Sequence, residues 1–376
     1  MMRKLLMAVC LVLMCTLSSC AFETTDQQAE KTLSSQQAVW SSWSNIGSYY
    51  TGQPAVFSTI TEFQYDEQVH IFARNSSDSK IYYKRYSSWL STVEQDWTEI
   101  PGQTTTTTVE PAASLAYGGT VNIPYKVNIW KVNTSNQIER VVLKFNRTTH
   151  VWSFASWITE TDLGSNNKLV RASRVQDSTL ITSIQNSDNS IYVAQLLNDN
   201  TWYANGLYYV GGFSTVAADV GIRIPQPVAS TQVYIFAKTN NNTYAWKESI
   251  QAISYGPNGW SASWTEIAGA YANTAAAHML KENYQFCLYG TTGNIGTNYL
   301  YENCDDGSSA NLSFDGWNSI GSSSSMINFG ASSVCSDGAY AASCLNANGR
   351  TDYNSIVMKK CGLLSGCSLY GATESL

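Results

Sequence analysis

The sequence predicts an all-β chain folded as a β-propeller, and three observations carry that expectation. The first is a repeated punctuation, Trp-x-x-Ile with Gly one or two residues later, at Trp43–Gly47, Trp97–Gly102, Trp264–Gly269 and Trp317–Gly321. The second is its spacing. With weaker copies at Trp152, taken from the doublet Trp152 and Trp157, and at Trp202, it recurs every 50 to 62 residues. The third is a constant order inside each interval: short β-branched and aromatic runs separated by Asn, Asp and Ser turns. A unit of four short antiparallel strands cannot bury its own faces, so such units stack side by side as blades. A β-sandwich would give many short strands without the recurrent Trp-x-x-Ile-Gly, and a β-helix would repeat at shorter intervals.

The clearest unit is Val69 to Gly102. Val69–Arg74 reads as a strand, Asn75–Lys80 as a turn, and Ile81–Tyr86 as a second strand. Asp96–Ile100 is a short Trp strand stopped by Pro101-Gly102. A small-residue strand precedes the first of these at Gln53–Val56, and again at Glu110–Ala113 and Asn273–Ala276. Runs matching Ile71–Arg74 follow at Val127–Trp130, Leu180–Ile184, Tyr234–Lys238 and Phe286–Tyr289. The third strands then open on Ile81-Tyr82, Ile138-Glu139, Ile191-Tyr192, Thr243-Tyr244 and Leu300-Tyr301.

After Trp317 three strands remain, at 326–333, 338–345 and 353–361, with no terminator Trp of their own. The missing outer strand is supplied by Trp40–Ile46, so the N-terminal strand joins the last blade and the count is six. A seventh blade inside the longest interval is the alternative count. The domain then runs from 39 to 376, with a Cys-rich last blade at 322–376.

The first 20 residues read as an export signal. Arg3 and Lys4 precede the apolar run Leu5–Leu17, which is too short for a membrane span. Leu17-Ser18-Ser19-Cys20 resembles the lipobox of bacterial lipoproteins, in which the Cys carries the lipid. An uncleaved anchor or ordinary cleavage and secretion is the alternative. In lipoproteins an Asp after the Cys commonly signals inner-membrane retention; Ala21 stands there, so the resemblance implies an outer-membrane lipoprotein of a bacterial envelope. Residues 21–38 are polar and read as a flexible tether spanning ~25 Å.

Of nine Cys, Cys10 and Cys15 lie in the signal and Cys20 is the lipidation candidate. Cys287, Cys304, Cys335, Cys344, Cys361 and Cys367 remain, an even number in an exported chain, and suggest three disulfides. Neighbour pairing, 287–304, 335–344 and 361–367, is the arrangement we favour among fifteen. Zinc is disfavoured, since no Cys-x-x-Cys occurs and His70, His150 and His278 are scattered. The net charge of −6, with no basic run, argues against a nucleic-acid partner.

Units of the form Ile71-Phe-Ala-Arg74, Asp78-x-x-Ile81-Tyr82 and Trp97-x-x-Ile-x-Gly102 resemble the blades of PLL-like β-propeller lectins. Tectonin-type and fucose-lectin propellers are more distant likenesses. The resemblance covers residues 40 to 321. It implies glycan or glycoconjugate partners, bound at shallow repeated sites without catalytic group, cofactor or metal. Sugar recognition needs a flat aromatic face and fixed polar groups. Arg74, Tyr82, Lys84 and Trp89 offer that mixture in the first unit, and Lys238, Tyr244 and Trp246 in the fourth. The second unit departs from it with Lys131, Glu139 and Trp152, the third with Gln185, Tyr192 and Trp202. Terminator Trp residues are expected in the inter-blade core, whereas Trp89, Trp130 and Trp246 fall outside that register and are candidates for exposure.

Two other functions remain open. One is a non-catalytic interaction scaffold on the envelope. The other is a sialidase-like glycoside hydrolase, for which Arg74, Arg85, Arg140, Arg147, Arg171, Arg174, Arg223 and Arg350 would supply a carboxylate clamp. Its Ser-x-Asp-x-Gly-x-Thr-Trp signature is missing, with only fragments at Ser77–Lys80 and Ser336–Gly338.

Overall fold

The computed structural model describes residues within 39–375. Outside the description lie 1–38, 41–43, 61–66, 88–91, 116–125, 213–217, 224–231, 239–243, 249–258, 268–275, 280–285, 292–297, 305–315, 334–353 and 363–365, and some one- or two-residue positions. The described residues form six antiparallel sheets.

Sheet one comprises Tyr50–Ile60, Glu67–Asn75, Ile81–Ser87 and Thr92–Glu99, paired in sequence order. Sheet two comprises Ala112–Leu115, Lys126–Val132, Ile138–Asn146 and Val151–Phe154, with Ile158–Thr159 also paired to its third strand. Sheet three is Asn167–Val175, Ser178–Gln185, Ser190–Leu196 and Tyr208–Gly212. Sheet four is Ala218–Arg223, Gln232–Lys238, Tyr244–Glu248 and Thr265–Ile267, and sheet five Ala276–Met279, Phe286–Thr291, Asn298–Cys304 and Asn318–Ser323. Sheet six takes Met326–Ser333, Asn354–Gly362 and Gly366–Ser375 from the C-terminal region, and the N-terminal strand Ser44–Ser48 pairs with the last of these. The first strand of each sheet neighbours the first strand of the next, and Met326–Ser333 neighbours Tyr50–Ile60.

The last sheet differs from the sequence expectation. The strand expected at 338–345 falls outside the described residues, and Gly366–Ser375 is a strand the sequence did not announce. Its residues, GCSLYGATES, are mostly small and polar, with little β-propensity of their own. Pairing on both sides holds it in place.

Among the described residues, the interiors of sheets one to four are shared with neighbours. Val69, Ile71, Ala73 and Tyr86 on one face of sheet one pack with Ile46 of the N-terminal strand. Phe72, Ile81 and Tyr83 on the other face pack with Val127, Ile129, Val141 and Leu143 of sheet two. Trp130, Val132 and Ile138 continue into Val170, Ile181 and Leu196 of sheet three, and Leu180, Ile184 and Val193 into Val233 and Ile235 of sheet four. Strands buried on both faces do not alternate cleanly, which explains the loose patterning of Val69–Arg74. Each fully buried Val, Leu or Ile contributes about 1.5–3 kcal/mol, so the stacking of sheets holds the domain together.

The Asn and Asp residues between second and third strands make turns. Asp78 Oδ1 accepts from Lys80 N at 3.0 Å, Asp188 Oδ1 from Ser190 N at 2.9 Å, and Asn133 Oδ1 from Ser135 N at 2.9 Å. Ser79, Asn136 and Asn189 sit at positive φ of 58°, 60° and 57°. The hairpins share one register: Arg74 faces Ile81, Val132 faces Ile138, Ile184 faces Ile191, and Lys238 faces Tyr244. Tyr244 therefore occupies the place of Ile81, one residue away from the Tyr82 position the sequence alignment gave it. A one-residue slip exchanges the two faces of a strand.

Candidate functional site

The grooves between successive sheets concentrate the polar and aromatic chemistry. Thr159 lies opposite Glu139 as Glu99 lies opposite Tyr82, so Trp157, and not Trp152, is the second unit's counterpart of Trp97. In the third unit Tyr209 lies opposite Tyr192, and Leu207 takes that place. Trp152, Trp202 and Trp260 instead form a second, buried set. Sequence reading merged the two sets because either Trp preserves the approximate period.

Both sets reach back to the preceding unit. The indole Nε1 of Trp97 donates to Ile46 O at 2.8 Å, and that of Trp157 to Pro101 O at 3.1 Å. Trp152 Nε1 donates to Gln68 Oε1 at 2.8 Å, and Trp202 Nε1 to Glu160 Oε2 at 3.0 Å. Trp264 lies against Gly211 so closely that a Cβ there would stand 2.5 Å from its Nε1. Trp130, a candidate for exposure on the sequence, is wholly buried against Trp202. Its second-strand position faces sheet three, where no solvent reaches.

Beneath the indoles lie ion pairs. Between the N-terminal strand and sheet one, Lys84 Nζ bonds Asp96 Oδ1 at 3.0 Å and Ile46 O at 3.3 Å, and stands over the rings of Tyr86 and Trp97. Lys84 holds the Asp96 carboxyl below the usual range. Between sheets one and two, Lys131 is fully buried, with Nζ 2.7 Å from Thr105 O, 3.2 Å from Glu139 Oε2, and 4.4 Å from the Trp157 ring centroid. Burial lowers its pKa, against the opposing pull of Glu139. Thr105 Oγ1 and Asn133 Nδ2 each donate to Glu139 at 2.8 Å. Between sheets two and three, Arg140 Nε meets Glu160 Oε1 at 2.6 Å, and Nη1 meets Asn200 Oδ1 at 3.1 Å. Each carboxylate is engaged by several donors, so these pairs brace the sheets and are poorly suited to acid–base work.

The residues singled out from the sequence do not converge. Arg74 is on the face of sheet one toward sheet two, where Nη1 donates weakly to Ser79 Oγ at 3.5 Å and Thr107 O at 3.4 Å. Tyr82 and Lys84 are on the opposite face, with Tyr82 OH donating to Asp78 Oδ2 at 2.8 Å. Strand alternation divides the expected trio, since Tyr82 faces Ala73 and not Arg74. Trp89 is outside the described residues. Lys238 and Tyr244 are directly opposed on the backbone, and Trp246 lies opposite Phe236. That is the place of Tyr83 opposite Phe72 and of Arg140 opposite Trp130, both buried positions. The side chains of Lys238, Tyr244 and Trp246 are not described. Cys20, Cys335 and Cys344 are also outside the description, while Cys287 faces Cys304 and Cys361 faces Cys367 in the strand registers.

Among the described residues, accessible aromatic surface gathers on sheet three. Tyr209 is 58% exposed and directly opposite Tyr192, with ring centroids 5.6 Å apart and planes at 68°. Tyr203 is also exposed, and Tyr208 OH donates to its carbonyl at 3.2 Å. The positions matching Tyr209 in sheets one, two and four are Glu99, Thr159 and Glu266. The Tyr208-Tyr209 doublet was the available signal, obscured because Trp202 keeps the period while Leu207 holds the terminator place. Such faces suit the C–H surface of a sugar, with phenolic hydroxyls at their margins.

No protein-family model and no curated protein matches the sequence. Solved structures do. AofleA from Arthrobotrys oligospora aligns over 88% of this chain and 85% of its own, at 9% identity and a TM-score of 0.53. Aleuria aurantia lectin, described as a six-bladed β-propeller with a novel fucose recognition mode, aligns over 86% and 96%, at 14% identity and a TM-score of 0.50. The α-L-arabinofuranosidase Arb93A from Fusarium graminearum aligns over 89% and 97%, at 9% identity and a TM-score of 0.51. At these identities the likeness speaks for architecture, and with the six observed sheets it makes this chain a six-bladed β-propeller.

Proposed function

We propose that the protein is a non-catalytic glycan-binding protein, a lectin, held on a bacterial envelope by a lipid on Cys20. The observation that carries the binding role is the exposed ring of Tyr209 packed edge-on against the half-buried Tyr192, set on a fold shared with fungal lectins. Among the described residues, the buried ionic groups of the grooves are engaged in bracing the sheets, and the tyrosine faces offer sugar-binding chemistry at the surface. The glycosidase on the same fold keeps hydrolysis in view. However, Glu139 and Glu160, the buried carboxylates described in the grooves, are committed to Lys131 and Arg140. Lipidation at Cys20 rests on Leu17–Cys20 and the polar tether behind it.

Glycan-array binding by residues 39–376 tests the reading. Binding to a defined sugar that Tyr209→Ala weakens at least tenfold, with the fold retained, supports it. A silent array with a co-purifying envelope protein would replace it with the scaffold, and turnover of a fluorogenic glycoside with a hydrolase. Anchoring is tested by incorporation of a labelled fatty acid, which Cys20→Ser should abolish.

A further inference from the structure

The last two sheets bring cysteines into direct opposition. Cys287, on the second strand of sheet five, is the antiparallel partner of Cys304 on the third. Cys361, near the end of Asn354–Gly362, is the partner of Cys367, near the start of Gly366–Ser375. Directly opposed residues of antiparallel strands have Cα atoms about 4.5 to 5.5 Å apart. A disulfide requires roughly 4.4 to 6.8 Å. Both registers therefore meet the backbone requirement for a bridge without any movement of the strands.

We infer that Cys287–Cys304 and Cys361–Cys367 are disulfides, and that the second fastens the strand on which the N-terminal strand pairs. Cys367 immediately precedes Ser368, the partner of Ser48, and Leu369, the partner of Gly47. The hairpin bridged by 361–367 thus presents the edge that receives Ser44–Ser48. Ser44–Ser48 and Gly366–Ser375 are rich in Gly and Ser, which pack weakly and resist register slippage poorly. A covalent link across the hairpin fixes the register that the side chains do not. The 287–304 bridge fixes the neighbouring sheet in the same way.

Each bridge forms by thiol–disulfide exchange with a donor disulfide, the class of oxidant found outside the cytoplasm. One protein thiolate attacks the donor and releases a donor thiol. The second protein thiolate then attacks the mixed disulfide and releases the other. Two protein thiols are oxidised to one S–S bond, and the donor disulfide is reduced to two thiols.

The test is peptide mapping of the exported full-length chain after alkylation without reduction. Linked peptides joining 287 to 304 and 361 to 367 are expected. Recovery of any of the four as an alkylated free thiol, or linked to another cysteine, would overturn the assignment. A thiol titration adds an independent reading. Cys287→Ser should reveal one new thiol, at Cys304, and Cys361→Ser one at Cys367; no new thiol in either variant would count equally against it. The role in fastening the N-terminal strand is read by hydrogen exchange. Cys361→Ser should speed exchange of amides in Ser44–Ser48, leaving sheet three unchanged, and equal protection in both proteins would refute that role. These readouts are independent of sugar binding, so they stand or fall apart from the lectin reading.

Discussion

Trp97 donates its indole N–H to the carbonyl of Ile46, 51 residues earlier in the chain, at 2.8 Å. One bond thus ties the outer edge of sheet one to the strand completing sheet six. Lys84 also bonds the Ile46 carbonyl, so removing the indole does not orphan the acceptor. Trp97→Phe should therefore cost about 1 kcal/mol, the net worth of one hydrogen bond, together with a smaller packing loss. Urea unfolding measures it, and an unchanged midpoint would show that the bond does not persist in solution.

The Arg140–Glu160 pair should behave differently. Both side chains are buried, and Glu160 also accepts from Trp202. Glu160→Ala leaves a guanidinium in the interior without its counter-charge and should cost about 3–5 kcal/mol. Arg140→Met combined with Glu160→Leu should recover most of that loss in the same unfolding experiment. A double variant as unstable as the single one would show that the pair supplies more than mutual neutralisation.

His70 should make the domain sensitive to mild acid. Its ring is buried between Tyr83, 2.9 Å from Nδ1, and Trp152, with the Arg85 cation nearby and Glu94 paired to Arg85. Burial, then Arg85, lower its pKa well below 6.5. The folded state thus binds fewer protons than the unfolded state at pH values between the folded pKa and 6.5. Stability is full above pH 6.5 and should fall below it by up to about 1.4 kcal/mol per pH unit. His70→Phe should flatten that segment of the stability profile, whatever its effect at neutral pH. A slope that survives the substitution would place the titrating group elsewhere.

Gly211 should tolerate no side chain. At φ of 153°, a Cβ there would stand 2.5 Å from Trp264 Nε1 and 3.2 Å from its Cε2. Gly211→Ala forces the indole away from sheet three and should cost about 1–3 kcal/mol through overpacking. A shift in tryptophan fluorescence should accompany the loss. Thermal unfolding identical to the parent would mean that the indole has room to withdraw.

The fold was legible because its punctuation reflects a repeated physical task. Trp97 and Trp264 sit where an indole must cross to the preceding unit, and Ile100, next to the stop, is wholly buried. The register of the fourth unit was less legible. Five residues separate Lys238 from Tyr244, against six between Arg74 and Ile81, and a change of turn length does not interrupt an apolar pattern. The division of Arg74 from Tyr82 was within reach, since strand alternation alone separates them once the register is known. Tyr209 was hidden for another reason. Its exposure depends on what neighbouring segments leave uncovered, and that depends on the stacking of whole sheets.

The backward reach of the indoles gives the repeat a polarity. Trp157 leans on Pro101, Trp97 leans on Ile46, and Trp202 leans on Glu160, always toward the unit already made during synthesis. A nascent chain can therefore dock each new unit onto a finished surface as it emerges. Sheet one is the exception. Ile46, on which Trp97 leans, belongs to a strand whose own partner, Gly366–Ser375, is translated after every other described strand. The first unit to appear thus waits for the last described strand, and its edge is where a product stalled before that strand would be open to capture by another chain.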